Sequence, residues 1–70
     1  MKYAVVIEKG PESLGAYAPD LPGCAVVGES REEVVQLIRE AIELHLQNLK
    51  EHGDEAPPPV SSFEFVDVTV

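Results

Sequence analysis

The stretch from Ser30 to Gly53 constrains this chain most: it reads as one long helix too apolar to stand alone. Ser30-Arg31-Glu32-Glu33 matches a capping box, with Ser30 as N-cap and Glu33 three residues in. Glu32 and Glu33 also suit the positive end of the helix dipole. At the far end Lys50 and His52 fall in the last turn, and Gly53 can close it. Residues 31–52 would extend roughly 33 Å at about 1.5 Å per residue. Val34, Val35, Leu37, Ile38, Ala41, Ile42, Leu44, Leu46 and Leu49 spread over roughly 200° of the helix surface, about twice the arc of an ordinary surface helix. Part of that arc covers a sheet, and its edges are left to meet another chain. Leu44 and Leu46 lie at opposite edges and are the candidate contacts. His45 projects from the middle of the arc, placed either to touch a partner or to pack in the core.

The flanking sequence supplies the sheet. Lys2 to Glu8 reads as a strand with Tyr3, Val5 and Ile7 on one face and Ala4 and Val6 on the other. Both faces are apolar, which predicts a central strand covered on both sides. Lys9-Gly10-Pro11-Glu12-Ser13 is a turn, and a weaker strand follows from Leu14 to Ala18. In Pro19-Asp20-Leu21-Pro22-Gly23 two prolines each fix a φ angle and remove a backbone donor, so no ladder continues there. Pro22-Gly23 suits the centre of a type II turn, from which a third strand, Cys24 to Glu29, departs. After the helix, Asp54-Glu55-Ala56-Pro57-Pro58-Pro59 forms a stiff spacer. A last strand runs from Phe63 to Val70, with Phe63 and Phe65 on one face and Val66, Val68 and Val70 on the other. The order β-β-β-α-β predicts an α+β fold: an antiparallel meander with one long helix packed on it. A terminal strand apolar on both faces predicts that one face lies in a subunit or partner interface.

At 70 residues there is room for one domain, residues 1–70. A chain this short buries only about 60% of its unfolded surface. Its single cysteine, Cys24, forms no disulfide within the chain, and one Cys with two His makes a poor zinc set. Oligomerisation or a bound partner is the remaining source of stability. No apolar run approaches the roughly 18 residues of a membrane span, and the apolar start is cut short by Glu8, Lys9 and Gly10, unlike a signal peptide. A cytoplasmic protein is expected.

The net charge is −8, and no segment is basic: −2 over residues 1–29, −4 over 30–55 and −2 over 56–70. Phosphate backbones demand clustered Lys and Arg, so direct nucleic-acid binding is not expected. An acidic surface either speeds encounter with a basic protein or simply aids solubility. The groups able to do chemistry are few. Cys24 has no cation beside it in sequence to activate the thiol and reads as a small core residue. His45 and His52 lie two helical turns apart, too far to share a metal. Asp20, held between two prolines, is either a contact presented on a rigid loop or an acceptor for nearby backbone donors. The glycines match no phosphate-binding motif. No catalytic residue, metal site or cofactor is predicted.

Three stretches taken together resemble the HicB antitoxin family. They are Tyr17-Ala18-Pro19-Asp20-Leu21-Pro22-Gly23-Cys24, Gly28-Glu29-Ser30-Arg31-Glu32-Glu33, and Ala41-Ile42-Glu43-Leu44-His45-Leu46. The resemblance covers nearly the whole chain and implies a partial RNase H-like β-β-β-α-β fold, in agreement with the order of elements above. It implies a protein that neutralises a small basic HicA-type toxin, which cleaves messenger RNA. Within the motif it implies structural roles for Pro19, Pro22, Gly23 and Cys24 in the loop, and for Gly28, Ser30 and Glu33 at the strand-to-helix junction. Full-length family members usually carry a C-terminal DNA-binding domain. The sequence has none before Val70, so operator binding by this chain is not expected.

The leading expectation is therefore a non-enzymatic antitoxin module, with Asp20, Leu21, Leu44, His45 and Leu46 as candidate partner contacts. It is expected to form a homo-oligomer, a dimer or tetramer, and to bind a HicA-like toxin without touching nucleic acid or membrane. The alternative is a homo-oligomeric module of structural or small-ligand role without a toxin. A hydrolase on the RNase H-like frame is a third and weaker reading, because Asp20 and Glu29 alone do not make a two-metal cluster.

Overall fold

The computed structural model describes residues 1–70. Strands β1 (Val6–Lys9), β2 (Leu14–Tyr17) and β3 (Ala25–Gly28) precede helix α1 (Arg31–Glu51). The sheet is an antiparallel meander in the order β1-β2-β3, with Ile7 opposite Ala16 and Ala16 opposite Val26. This is the expected α+β arrangement.

Each junction is set by local chemistry. Around Pro22-Gly23 the Cys24 N–H donates to the Leu21 carbonyl (3.0 Å), and Gly23 has φ +83°. That is the expected type II turn, and glycine meets its positive φ without strain. At the helix start Ser30 is extended, and its hydroxyl accepts from the Glu33 N–H at 3.1 Å. The Glu33 carboxylate reaches back to the Glu29 N–H (2.6 Å), one residue before the position a standard capping box uses. Gly28 sits under this junction, where a Cβ would lie 2.8 Å from the Val34 side chain. At the helix end the Asp54 N–H bonds to the Leu49 carbonyl and the Gly53 N–H to that of Lys50, with Gly53 at φ +75°. These two bonds make a full Schellman closure.

α1 lies across β3 and β2. The core is Ala16, Ala18, Leu21, Cys24, Val34 and Ile38, with Tyr3, Val5, Ile7, Leu14, Val26, Ala41, Ile42 and Leu46 packed around it. Its small volume follows from the alanines and the cysteine, which place the β2 backbone and the Pro-rich loop close beneath the helix.

Two sequence expectations change. The two apolar faces of β1 predict a central strand, yet β1 is the edge of the sheet. Its paired stretch also starts at Val6, and residues 2–5 lead into it without a ladder partner. The segment Phe63–Val70, expected as a strand, is unpaired in the single chain. A strand needs a neighbour for its backbone donors and acceptors, and nothing in one chain closes a ladder with it.

Candidate partner interface

The rigid loop is built from its prolines upward. Ala18, Leu21 and Cys24 turn inward, and the Ala18 N–H bonds to the Cys24 carbonyl at 3.1 Å. Leu21, expected to meet a partner, is only 1% exposed and is a core side chain. Its neighbour Asp20 faces out of the same turn. The Asp20 carboxylate accepts the Ser61 N–H at 2.9 Å on Oδ2 and the Ser61 hydroxyl at 2.7 Å on Oδ1. Both oxygens therefore serve a residue 41 positions away, not the adjacent backbone donors that a local turn would use. These bonds, the hydroxyl first, hold the Asp20 carboxyl below the usual carboxylate range.

A second tie lies close by. The Tyr3 hydroxyl donates to the Pro57 carbonyl at 2.6 Å. Together the two ties bring the proline spacer back across the start of β1. Sequence reasoning found Asp20 but missed Tyr3 and Ser61. No local pattern reports a bond across 54 residues; the one available signal was the stiffness of the spacer, which makes its end point predictable only once the sheet is known.

The helix candidates separate. Leu44 is exposed on the outer side of α1, while Leu46 and His45 are half-buried. Leu46 packs against the core and lines a groove of about 600 Å³ between the start of the chain, β1 and α1. Val5, Ile7, Val35 and Ile42 give that groove an apolar wall, and Lys2, Arg39 and Glu43 bring charges of both signs to it. The helix covers β2 and β3 and leaves this strip beside β1 open. The outer side of α1 differs in character: Leu44 shares its stripe with Glu40 and Glu51, spaced four and seven residues from it.

No three His, Cys, Asp or Glu side chains gather where they could hold a metal ion. Cys24 is a buried free thiol, and burial pushes its pKa up, away from the reactive thiolate. The loop and junction residues Pro19, Pro22, Gly23, Gly28, Ser30 and Glu33 all lie in the turn and cap just described. No helix is long and apolar enough to cross a membrane.

Comparison with known proteins agrees with this arrangement. The chain is 38% identical over 60 residues to a UPF0150 protein of Thermoplasma acidophilum, covering 81% of this chain and 84% of the relative. A UPF0150 protein of Archaeoglobus fulgidus is 42% identical over 57 residues, covering 77% and 80%. A third, from Helicobacter pylori, is 47% identical over 45 residues, covering 64% and 62%. No solved structure matches significantly. A family model, the HicB-like antitoxin of bacterial toxin–antitoxin systems, matches residues 3–68, from the Tyr3 tie to the unpaired tail. With its Pro-rich loop, capped helix and returning tail all inside that match, the chain belongs to the HicB-like antitoxin family.

Proposed function

We propose that this chain binds and neutralises a small basic messenger-RNA-cleaving toxin of the HicA type, acting as a non-enzymatic cover in the cytoplasm. The observation that carries the reading, beside family membership, is the charge: −8 on 70 residues with no basic segment. A partner that grips RNA must be basic, and opposite charge speeds and orients its encounter. The outer stripe of α1 offers a suitable contact. Leu44 is 59% exposed, and Glu40 and Glu51 flank it along the helix. An apolar centre with a charged rim is the usual anatomy of a specific interface. Direct nucleic-acid binding has no place in the reading, for want of a basic patch.

The test is purification of this chain from its own host with mass determination of anything bound, followed by an RNA-cleavage assay of the complex and of each chain alone. The reading expects a stoichiometric complex without cleavage, cleavage by the toxin alone, and none by this chain. Leu44→Arg should weaken the complex at least tenfold without changing the fold. Recovery of this chain free of any such partner would favour the homo-oligomeric module without a toxin.

A further inference from the structure

The sheet has two edges, and they differ. β1 carries Glu8 and Lys9, charges of the kind that keep an edge from pairing with another chain. β3, followed back to the turn, reads Cys24-Ala25-Val26-Val27-Gly28, with no charge and no proline. The bond from the Ala18 N–H to the Cys24 carbonyl, 3.1 Å, sets the phase of its ladder. Bonding to a neighbour alternates along an antiparallel strand, so Cys24, Val26 and Gly28 bond towards β2. Ala25 and Val27 direct their N–H and carbonyl groups to the open side. No turn or loop of the chain bonds to them, and the Val27 side chain is 69% exposed.

The helix overhangs this edge. At about 100° per residue, Glu33, Leu37, Glu40, Leu44 and Glu51 fall within roughly 60° of one another on one flank of α1. A Cβ on Gly28 would touch the Glu33 side chain, which places that flank over β3. The opposite flank, with Val35, Arg39, Ile42 and Leu46, faces the groove beside β1.

The fold also sorts charge between the two sides. Four of the five basic residues lie on the β1 side: Lys2 and Arg39 line the groove, Lys9 ends β1, and Arg31 sits with Val5, Val6 and Ile7. Glu8 and Glu43 are mixed among them. The fifth, Lys50, stands about 120° around the helix from Leu44. The β3 flank of the helix has acids alone, Glu33, Glu40 and Glu51, along the apolar line of Leu37 and Leu44. A second copy would bring the same acids to the seam and be repelled. An extended segment with basic ends matches both the open backbone and the charge.

We propose that β3 is where an extended segment of a basic partner adds a fourth strand to the sheet. The Ala25 and Val27 backbone groups bond to it, its apolar side chains on the helix side lie against Leu37 and Leu44, and its flanking lysines or arginines meet Glu33, Glu40 and Glu51. Strand addition draws affinity from backbone bonds and selectivity from the side chains alongside. The proposal rests on the toxin reading for the partner's identity, while the edge itself is testable without a toxin.

The probe is a synthetic peptide of alternating valine and threonine with two lysines at each end, titrated to millimolar concentration into the full chain and followed by amide exchange. The Ala25 and Val27 amides, fast to exchange in the free chain, should slow at least tenfold, and those of β1 should not change. The same peptide ended in glutamates should bind at least tenfold more weakly. Val27→Pro removes one outward N–H, a loss an edge strand tolerates, and should abolish binding with the helical circular dichroism unchanged. Should that variant loosen the fold, Val27→Lys keeps every backbone donor and should still weaken binding at least tenfold. No slowing at millimolar peptide, slowing at β1 instead, or equal binding of the two peptides would overturn the proposal. So would slow exchange of both amides in the free chain that depends on its concentration, which would assign the edge to a second copy. A toxin recovered from the host that leaves both amides fast overturns the edge and spares the toxin reading; peptide binding at the edge with no toxin in the host does the reverse.

Discussion

Gly28 and Ser30 show how much one atom decides here. A Cβ at position 28 would stand 2.6 Å from the Glu33 carboxylate and 2.8 Å from Val34 Cγ1. Glu33 can swing aside, but Val34 is fully buried and cannot. Gly28→Ala should therefore destabilise by about 1–3 kcal/mol through overpacking, more than Ser30→Ala, which loses a single cap worth about 1 kcal/mol. Thermal melts of the two variants check the order, with Ser30→Ala falling about 4–8 °C. Asp20 gives a pH prediction. Its carboxyl is depressed in the folded chain, so its contribution is present above the unfolded value of about 3.9 and is lost as pH falls through the lower folded value. The Ser61 amide resonance should stay fixed from neutral pH down through the ordinary carboxylate range and move only below it. Asp20→Asn should abolish that movement and make the 56–62 segment easier to cleave by protease. Cys24, buried with a raised pKa, should resist alkylation until the chain unfolds.

At the scale of elements, the sequence was most legible where structure is local. Ser30, Glu33 and Gly53 announced both helix ends, and the observed helix, Arg31–Glu51, stops one residue short of the expected range. Pro22-Gly23 announced its turn for the same reason, since φ preferences act within a few residues. Sheet order was not legible. β1 has the composition of a central strand, but composition reports only that both faces are apolar and not which strands pair with it. Leu21 misled in a similar way: a leucine between two prolines looks like a loop tip, and only the inward turn of Ala18 and Cys24 reveals it as core. Of the candidate partner contacts, Asp20 is engaged within the chain, Leu46 lines the groove, and Leu44 stands free on the outer helix face. Leu44 and Leu46 thus lie on different sides of the helix. Leu44→Arg should disturb binding of the proposed toxin and spare the fold; pull-down and circular dichroism on the same variant check this.

For the whole molecule the dominant quantity is charge. Eight negative charges in excess favour encounter with a basic partner, so salt should weaken the proposed association. At ionic strengths where the Debye length falls to about 3 Å, toxin association should slow. Association rates measured across a salt series check this. If the acidity served only to keep the chain dispersed, the trend would be absent.

The two ties that hold the tail also set an order of events. The hairpins and the helix close over short loops, but the Tyr3–Pro57 and Asp20–Ser61 bonds join residues 54 and 41 positions apart. Long loops are closed last in folding, because their entropy must be met before any contact rewards it. Only three hydrogen bonds then secure the segment, so it is the first part to open again. The meander and helix should accordingly protect their amides longest, and the Ser61 amide should exchange early, an order that hydrogen exchange checks.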